Sequence, residues 1–217
     1  YYVRATKTGG PALQLSLLVE GLQSIGVEIY VVTTTGNLDE EIDLAFDGDV
    51  FETQEKGVST VYLRRKNSFF PPTYYYAPAL TSWLKNHLAQ FDIAIIHGAW
   101  TYFSNTSARI CQKIGLPYLF FIHGSFDPWA FNHHYIKKYP YWILIEKSNY
   151  QKSNGIIVLS QDESAQMRAI GIEKPTFVAQ TGLLFPLPRL DDPWAILNRC
   201  CQELDKRSYV YFMSRLH

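Results

Sequence analysis

Two rhythms of apolar residues alternate along the chain. Leu15, Leu18, Leu22 and Ile25 recur at helical spacing behind Thr8-Gly9-Gly10-Pro11, with Pro11 suited to a first helical turn and Gly26 as a stop. Val27 to Thr34 then reads as a β-branched strand, dense enough in apolar side chains to be buried on both faces. Residues 36–57 are acidic and glycine-punctuated, a surface loop with room for one short element, and Val58 to Leu63 is a further strand. The later pattern repeats the alternation: helix 79–89, strand 91–98, helix 104–114, strand 117–124, helix 135–152, strand 155–160, helix 161–170 and strand 175–180. A proline-rich connection at 186–193, a helix at 194–205 and a strand at 208–213 complete it.

Strands alternating with helices through short loops predict an α/β fold, a Rossmann-like doubly wound parallel sheet covered on both faces. Ligands of such sheets bind beyond the carboxyl ends of the strands. Two strands end in the same pair, His97-Gly98 and His123-Gly124, which puts both histidines on that rim.

Composition narrows the field. With Lys+Arg 20 and Asp+Glu 20 in 217 residues the net charge is zero, which disfavours a nucleic-acid binder. No apolar run approaches the roughly 18 residues of a membrane span. Cys111, Cys200 and Cys201 make no disulfide framework and fit a reducing, cytoplasmic setting. The first residue is Tyr1 and not Met, so we expect a piece of a longer polypeptide.

Candidate chemistry is sparse. Gly9-Gly10 ahead of a helix lets backbone amides approach an anion or a sugar, or else serves a tight turn. Neither a phosphate-binding G-x-x-x-x-G-K-[ST] loop nor a G-x-G-x-x-G dinucleotide fingerprint occurs, which counts against a nucleotide-dependent oxidoreductase. A G-x-S-x-G hydrolase elbow is also missing. His123-Gly124-Ser125-Phe126-Asp127-Pro128 can present an imidazole to a cleft, or satisfy it on a loop carbonyl. The same strand-end placement holds for His97, but the residues after it, Ala99 to Phe103, suit packing, which makes His97 mainly structural. His133-His134 lacks partners at ligand spacing, and no metal is expected. Ser160 and Glu163 form a capping box. Arg64-Arg65-Lys66 beside Phe69, Phe70 and Tyr74 to Tyr76 is either a packed surface loop or an approach to an anionic membrane.

The order of these segments ("GVEIYVVTT", "YYYAPAL", "FDIAIIHGAW", "GLPYLFFIHGSFDPWA", "IIVLSQDE", "YVYFMSRLH") resembles the N-terminal domain of a family 4 glycosyltransferase, covering nearly the whole chain. The resemblance implies the N-terminal half of a GT-B fold and a retaining transferase of the bacterial exopolysaccharide and surface-glycan type. It moves a sugar from a nucleotide-sugar co-substrate, without a metal cofactor, to a glycan or lipid-linked acceptor. It implies residues 1–190 as the acceptor-side domain, its first strand reduced to Tyr1-Tyr2-Val3, and 191–217 as a linker helix plus the first strand of a truncated donor-binding domain. By the same resemblance His123 lies beside the transferred sugar, with Gly9, Gly10, Gly124 and Arg215 on the donor side. Trp100, Asp127 and Trp129 line the acceptor side. Gln180-Thr181-Gly182 stands where the family has Asn-Gly. The expected setting is cytoplasmic, with peripheral contact at the inner face of the plasma membrane, and the fragment alone is expected to be inactive. The rival is a non-catalytic sugar- or partner-binding domain that keeps the fold.

Overall fold

Strand β1 (Tyr30–Thr34) follows helix α1 (Gly10–Ser24), and two short strands, β2 (Gly36–Asn37) and β3 (Glu40–Glu41), pair antiparallel behind it. The computed structural model describes residues 2–133 and 135–180. The expected loop at 36–57 contains more structure than one short element: besides β2 and β3, β4 (Val50–Glu55) forms an antiparallel hairpin with β5 (Val58–Leu63). Gly57, at φ 78°, and Lys56, at φ 51°, make its two-residue turn in the left-handed region that such hairpins require. β5 lies between β4 and β1, which runs parallel to it with Tyr30 opposite Ser59 and Thr34 opposite Leu63.

The second sheet holds four strands in chain order, all parallel: β6 (Ala94–His97), β7 (Tyr118–Phe121), β8 (Gly155–Val158) and β9 (Thr176–Val178). Helix α2 (Ala79–His87) leads into β6, α3 (Tyr102–Ile114) crosses from β6 to β7, the helical segments between 128 and 151 cross from β7 to β8, and α7 (Gln161–Ala169) crosses from β8 to β9. In α3 the Thr101 hydroxyl accepts the Ser104 N–H at the start, and Gly115 at φ 76° ends the helix in the left-handed conformation that glycine adopts without strain. Phe120, Ile122, Ile156 and Val158 are almost wholly buried with Leu80, Ala108 and Cys111. Each large apolar side chain so placed stabilises the fold by about 1.5–3 kcal/mol. That layer fixes the strand ends that carry the histidines.

Two departures from the expected sheet matter. Among the described residues β1 pairs only with β5, and β6 only with β7. The two strands face one cavity of about 280 Å³, lined by Leu15, Val32, Phe91, Ile95 and Cys111 among others. Tyr2, expected as the tail of a first strand, does not line that cavity but packs with Val19, Val31 and Val58. The helix expected at 135–152 is also broken. α5 (Tyr135–Tyr141) contains Pro140 and passes through a π-turn, Trp142–Glu146, into α6 (Lys147–Gln151). Proline lacks the N–H that an α-helical bond needs, which accounts for the change of winding at this point. The expected helix at 194–205 and strand at 208–213 lie outside the described residues.

Candidate functional site

The carboxyl ends of β6 and β7 deliver His97 and His123 side by side. His97 Nδ1 lies 3.0 Å from His123 Nε2, and His123 Nδ1 lies 3.1 Å from Gln14 Oε1 on α1. The contact with Gln14 brings the start of α1, and so the Gly9-Gly10 loop, to the strand rim. His123 has φ 47°, a left-handed conformation that costs a non-glycine residue on the order of 1–3 kcal/mol. Phe121 stacks under its ring at 4.1 Å and 14°. Ser125 N–H donates to the Ile122 carbonyl and Asp127 N–H to that of Gly124, closing the turn that holds this conformation.

Burial pushes both imidazoles below the ordinary histidine range. His123 falls to about 4 by desolvation, and His97 is lowered by desolvation first and by its His123 neighbour second. Both rings are therefore neutral at pH 7. A neutral imidazole has one N–H donor and one acceptor nitrogen, so the pair serves hydrogen bonding and not charge.

The glycines differ in what requires them. Gly9 has φ 68°, and Gly124 has φ 72°, where a side chain would be strained. Gly10 has no such demand, and a Cβ there would meet nothing within 4 Å. Packing within the chain does not call for glycine at 10, whereas a ligand approaching the first turn of α1 would.

Trp100 joins the rim to a second cluster. It too has positive φ, 63°, and its N–H donates to Glu146 Oε1 at 2.6 Å. Its indole N–H reaches the Ser125 carbonyl, and its ring packs among Phe126, Phe131, Tyr141 and Trp142, with Lys138 Nζ 5.4 Å above it. Asn105 Nδ2 also donates to Glu146 Oε1, while Glu146 Oε2 is buried with no partner. Desolvation raises the Glu146 carboxyl to about 7. Asp127 caps helix α4 (Pro128–Asn132), its Oδ1 accepting the Trp129 N–H at 2.9 Å. The Trp129 ring is largely exposed, stacked on His133. Arg215 lies outside the described residues, as does His134.

Among the expected site residues, then, His123 meets Gln14 on the helix that Gly9-Gly10 opens, Gly124 follows it in the same turn, and Trp100 reaches that turn through Ser125. Asp127 is engaged as a cap and Trp129 lies out on α4. No cluster of three metal-ligating side chains occurs among the described residues. Sequence reasoning passed over Gln14 and Glu146. Glu146 had one signal: it ends an otherwise acid-free run from Pro128 to Ile145. The capping box is present, with Ser160 Oγ accepting the Glu163 N–H, but Glu163 reaches back to the N–H of Leu159, one residue before the cap.

Residues 8–183 match the model of Glycosyltransferase Family 4, and the chain belongs to that family. The matched span contains the glycine loop, both histidine strands and the Glu146 cluster. No curated protein and no solved structure gives a significant match.

Proposed function

We propose that the chain is the acceptor-side, N-terminal half of a retaining GT-B glycosyltransferase. It moves a hexose from a nucleotide-sugar to a hydroxyl of a glycan or lipid-linked acceptor in bacterial surface-glycan assembly, with no metal cofactor. The observation that carries this is the convergence of a neutral His123, held in a strained turn, with the open first turn of α1 at Gly9-Gly10. Amides and the helix N-terminus suit the donor phosphates. His123 suits a sugar hydroxyl, since a preorganised neutral donor costs no reorganisation when charge develops. Gly124 keeps the turn close to the ligand, Arg215 holds the diphosphate, and Trp100, Asp127 and Trp129 flank the acceptor.

A lipid-linked acceptor accords with the exposed aromatics, though not through the cations first suspected. Arg65 is spent on Glu41 and on the carbonyls of Leu38 and Glu40, and Arg64 on the carbonyls of Phe46 and Gly48. Phe69 is fully exposed and Ile136 and Leu144 nearly so, in segments without acidic residues. These apolar groups are what a membrane surface would meet.

The test is to incubate the protein in its native full length with UDP-, GDP- and ADP-hexoses and a bacterial lipid extract. Release of nucleoside diphosphate that depends on acceptor, with the donor's anomeric configuration kept in the product, is expected. A folded protein that consumes none of these donors, or a product of inverted configuration, overturns the proposal.

A further inference from the structure

We propose that His97 is a positioning residue that holds His123 in the Nδ1–H tautomer, making His123 a one-way hydrogen-bond donor toward the cleft. The acceptor on that N–H is Gln14 Oε1 in this structure and a sugar hydroxyl oxygen in the working enzyme. This rests on the transferase proposal for the role of His123, but the tautomer itself is a property of the chain alone.

The polarity follows from one end of the chain of contacts. An amide oxygen only accepts, so the 3.1 Å contact between Gln14 Oε1 and His123 Nδ1 requires the proton on Nδ1. A neutral imidazole then has no proton on Nε2. That nitrogen faces His97 Nδ1 at 3.0 Å, and the contact is a hydrogen bond only if His97 donates. The protonation of His123 Nε2 is thus tied to the bond its other nitrogen makes, the general rule for histidine. With Gln14 in place the Nδ1 proton is held from both ends; once Gln14 gives way to a hydroxyl, which can donate as well as accept, the His97 N–H alone keeps His123 Nε2 an acceptor.

The surroundings permit little else. Phe121 lies flat against His123 and within 5.4 Å of His97, so neither ring swings freely. The two imidazoles are themselves stacked at 5.2 Å and 26°. Gly98 N–H donates to the Phe121 carbonyl and extends the β6–β7 ladder to the point where His97 is fixed. His123 Nδ1 meets Gln14 on α1, where a Cβ at Gly10 in the first turn would find nothing within 4 Å. Gln14 sits where a ligand oxygen would take over. It is a flexible side chain with its own amide, so it can withdraw without breaking the helix that carries it.

Histidine-selective ¹⁵N labelling of the chain and long-range ¹H–¹⁵N correlation at pH 7 test this without any substrate. The expected result is a His123 ring protonated on Nδ1 and bare on Nε2, with His97 also protonated on Nδ1. In Gln14→Ala, which removes the acceptor on Nδ1, His123 should still carry its proton there, because His97 keeps Nε2 an acceptor. In His97→Asn, whose amide N–H can replace Nδ1–H, it should keep the native tautomer. A wild-type His123 protonated on Nε2 overturns the proposal, as does a His123 that moves its proton to Nε2 in a folded Gln14→Ala protein. Should that variant fail to fold, the wild-type and His97→Asn spectra still decide. In the full-length enzyme His97→Leu should lower kcat by on the order of 10²–10³-fold with KM little changed, and His97→Asn should restore most of it. Correct tautomers in a protein that transfers no sugar would overturn the function and leave the relay standing. An unchanged kcat in a folded His97→Leu enzyme would overturn the relay and leave the function standing.

Discussion

Glu146 and the histidine pair are buried titratable groups that pull stability in opposite directions with pH. Burial raises the Glu146 carboxyl to about 7, so between the ordinary carboxylate range and pH 7 the native state keeps a proton that the unfolded chain has lost. Its contribution is complete below that ordinary range and is lost as pH rises through 7. His123 and His97 are lowered, so the unfolded chain takes up protons that the native pair refuses. Their contribution is complete above the ordinary histidine value and is lost as pH falls below it. Over roughly pH 4.5 to 6.5 the one Glu146 proton offsets only one of the two histidines, so wild-type stability should fall gently on acidification there. Glu146→Gln keeps the acceptor oxygen for Trp100 and Asn105 while removing the proton that titrates. We expect this variant to gain on wild type by a few kcal/mol, to order of magnitude, between pH 5 and pH 8. It should also lose stability steeply on acidification, where the histidines act alone. Urea melts at unit pH steps would show it, and parallel wild-type and Glu146→Gln profiles would contradict it.

The elements around the site were legible to different degrees, and so are their consequences. Strands β6, β7 and β8 were read from dense apolar runs, because a parallel strand buried on both faces leaves little else possible, and the His-Gly ending common to β6 and β7 set two imidazoles at neighbouring strand ends. The break at Pro140 and the π-turn were not read, since a helical rhythm continues through Ile136, Pro140 and Leu144 and only backbone geometry interrupts it. Likewise the sequence left Arg64 and Arg65 open between a packed surface loop and a membrane approach, because nothing local reveals that Glu41 and carbonyls 16 to 27 residues away will claim them. That difference decides a prediction. Ile136→Glu with Leu144→Glu alters an exposed apolar face and should abolish flotation with anionic liposomes while leaving the melting temperature nearly unchanged. Arg65→Glu puts a carboxylate where a largely buried guanidinium met the exposed Glu41 and several carbonyls, and should lower the melting temperature by several degrees. Equal flotation by the Ile136/Leu144 variant and wild type would remove the membrane from the proposed function.

For the whole molecule the open seam between the two sheets is the consequential feature. Hydrophobic rhythm identifies a strand and its buried faces but not its neighbours, so one continuous sheet was the natural expectation from the sequence. In the structure β1 and β6 line a common apolar cavity without a ladder between them, while β5 and β7 are each paired on both sides. A strand with one partner leaves the amides of its other edge without a ladder bond, however apolar its side chains. Backbone protection tracks those bonds and the local opening that breaks them, not burial of side chains alone. Native-state hydrogen exchange of residues 1–217 should therefore show β1 and β6 exchanging faster than β5 and β7, by a margin that Val31 and Ile96, both buried, would not suggest. The relay histidines stand at the edge of this seam, since His97 closes β6 and borders the cavity. Tightening the seam should then slow exchange at His97 and Gly98 as well as along β1. Ala94→Val adds apolar volume on the cavity wall and is the variant to compare. Uniform protection across β1, β5, β6 and β7 in the unaltered chain would mean that the seam is closed in solution, and the link from sheet pairing to the histidine rim would fail with it.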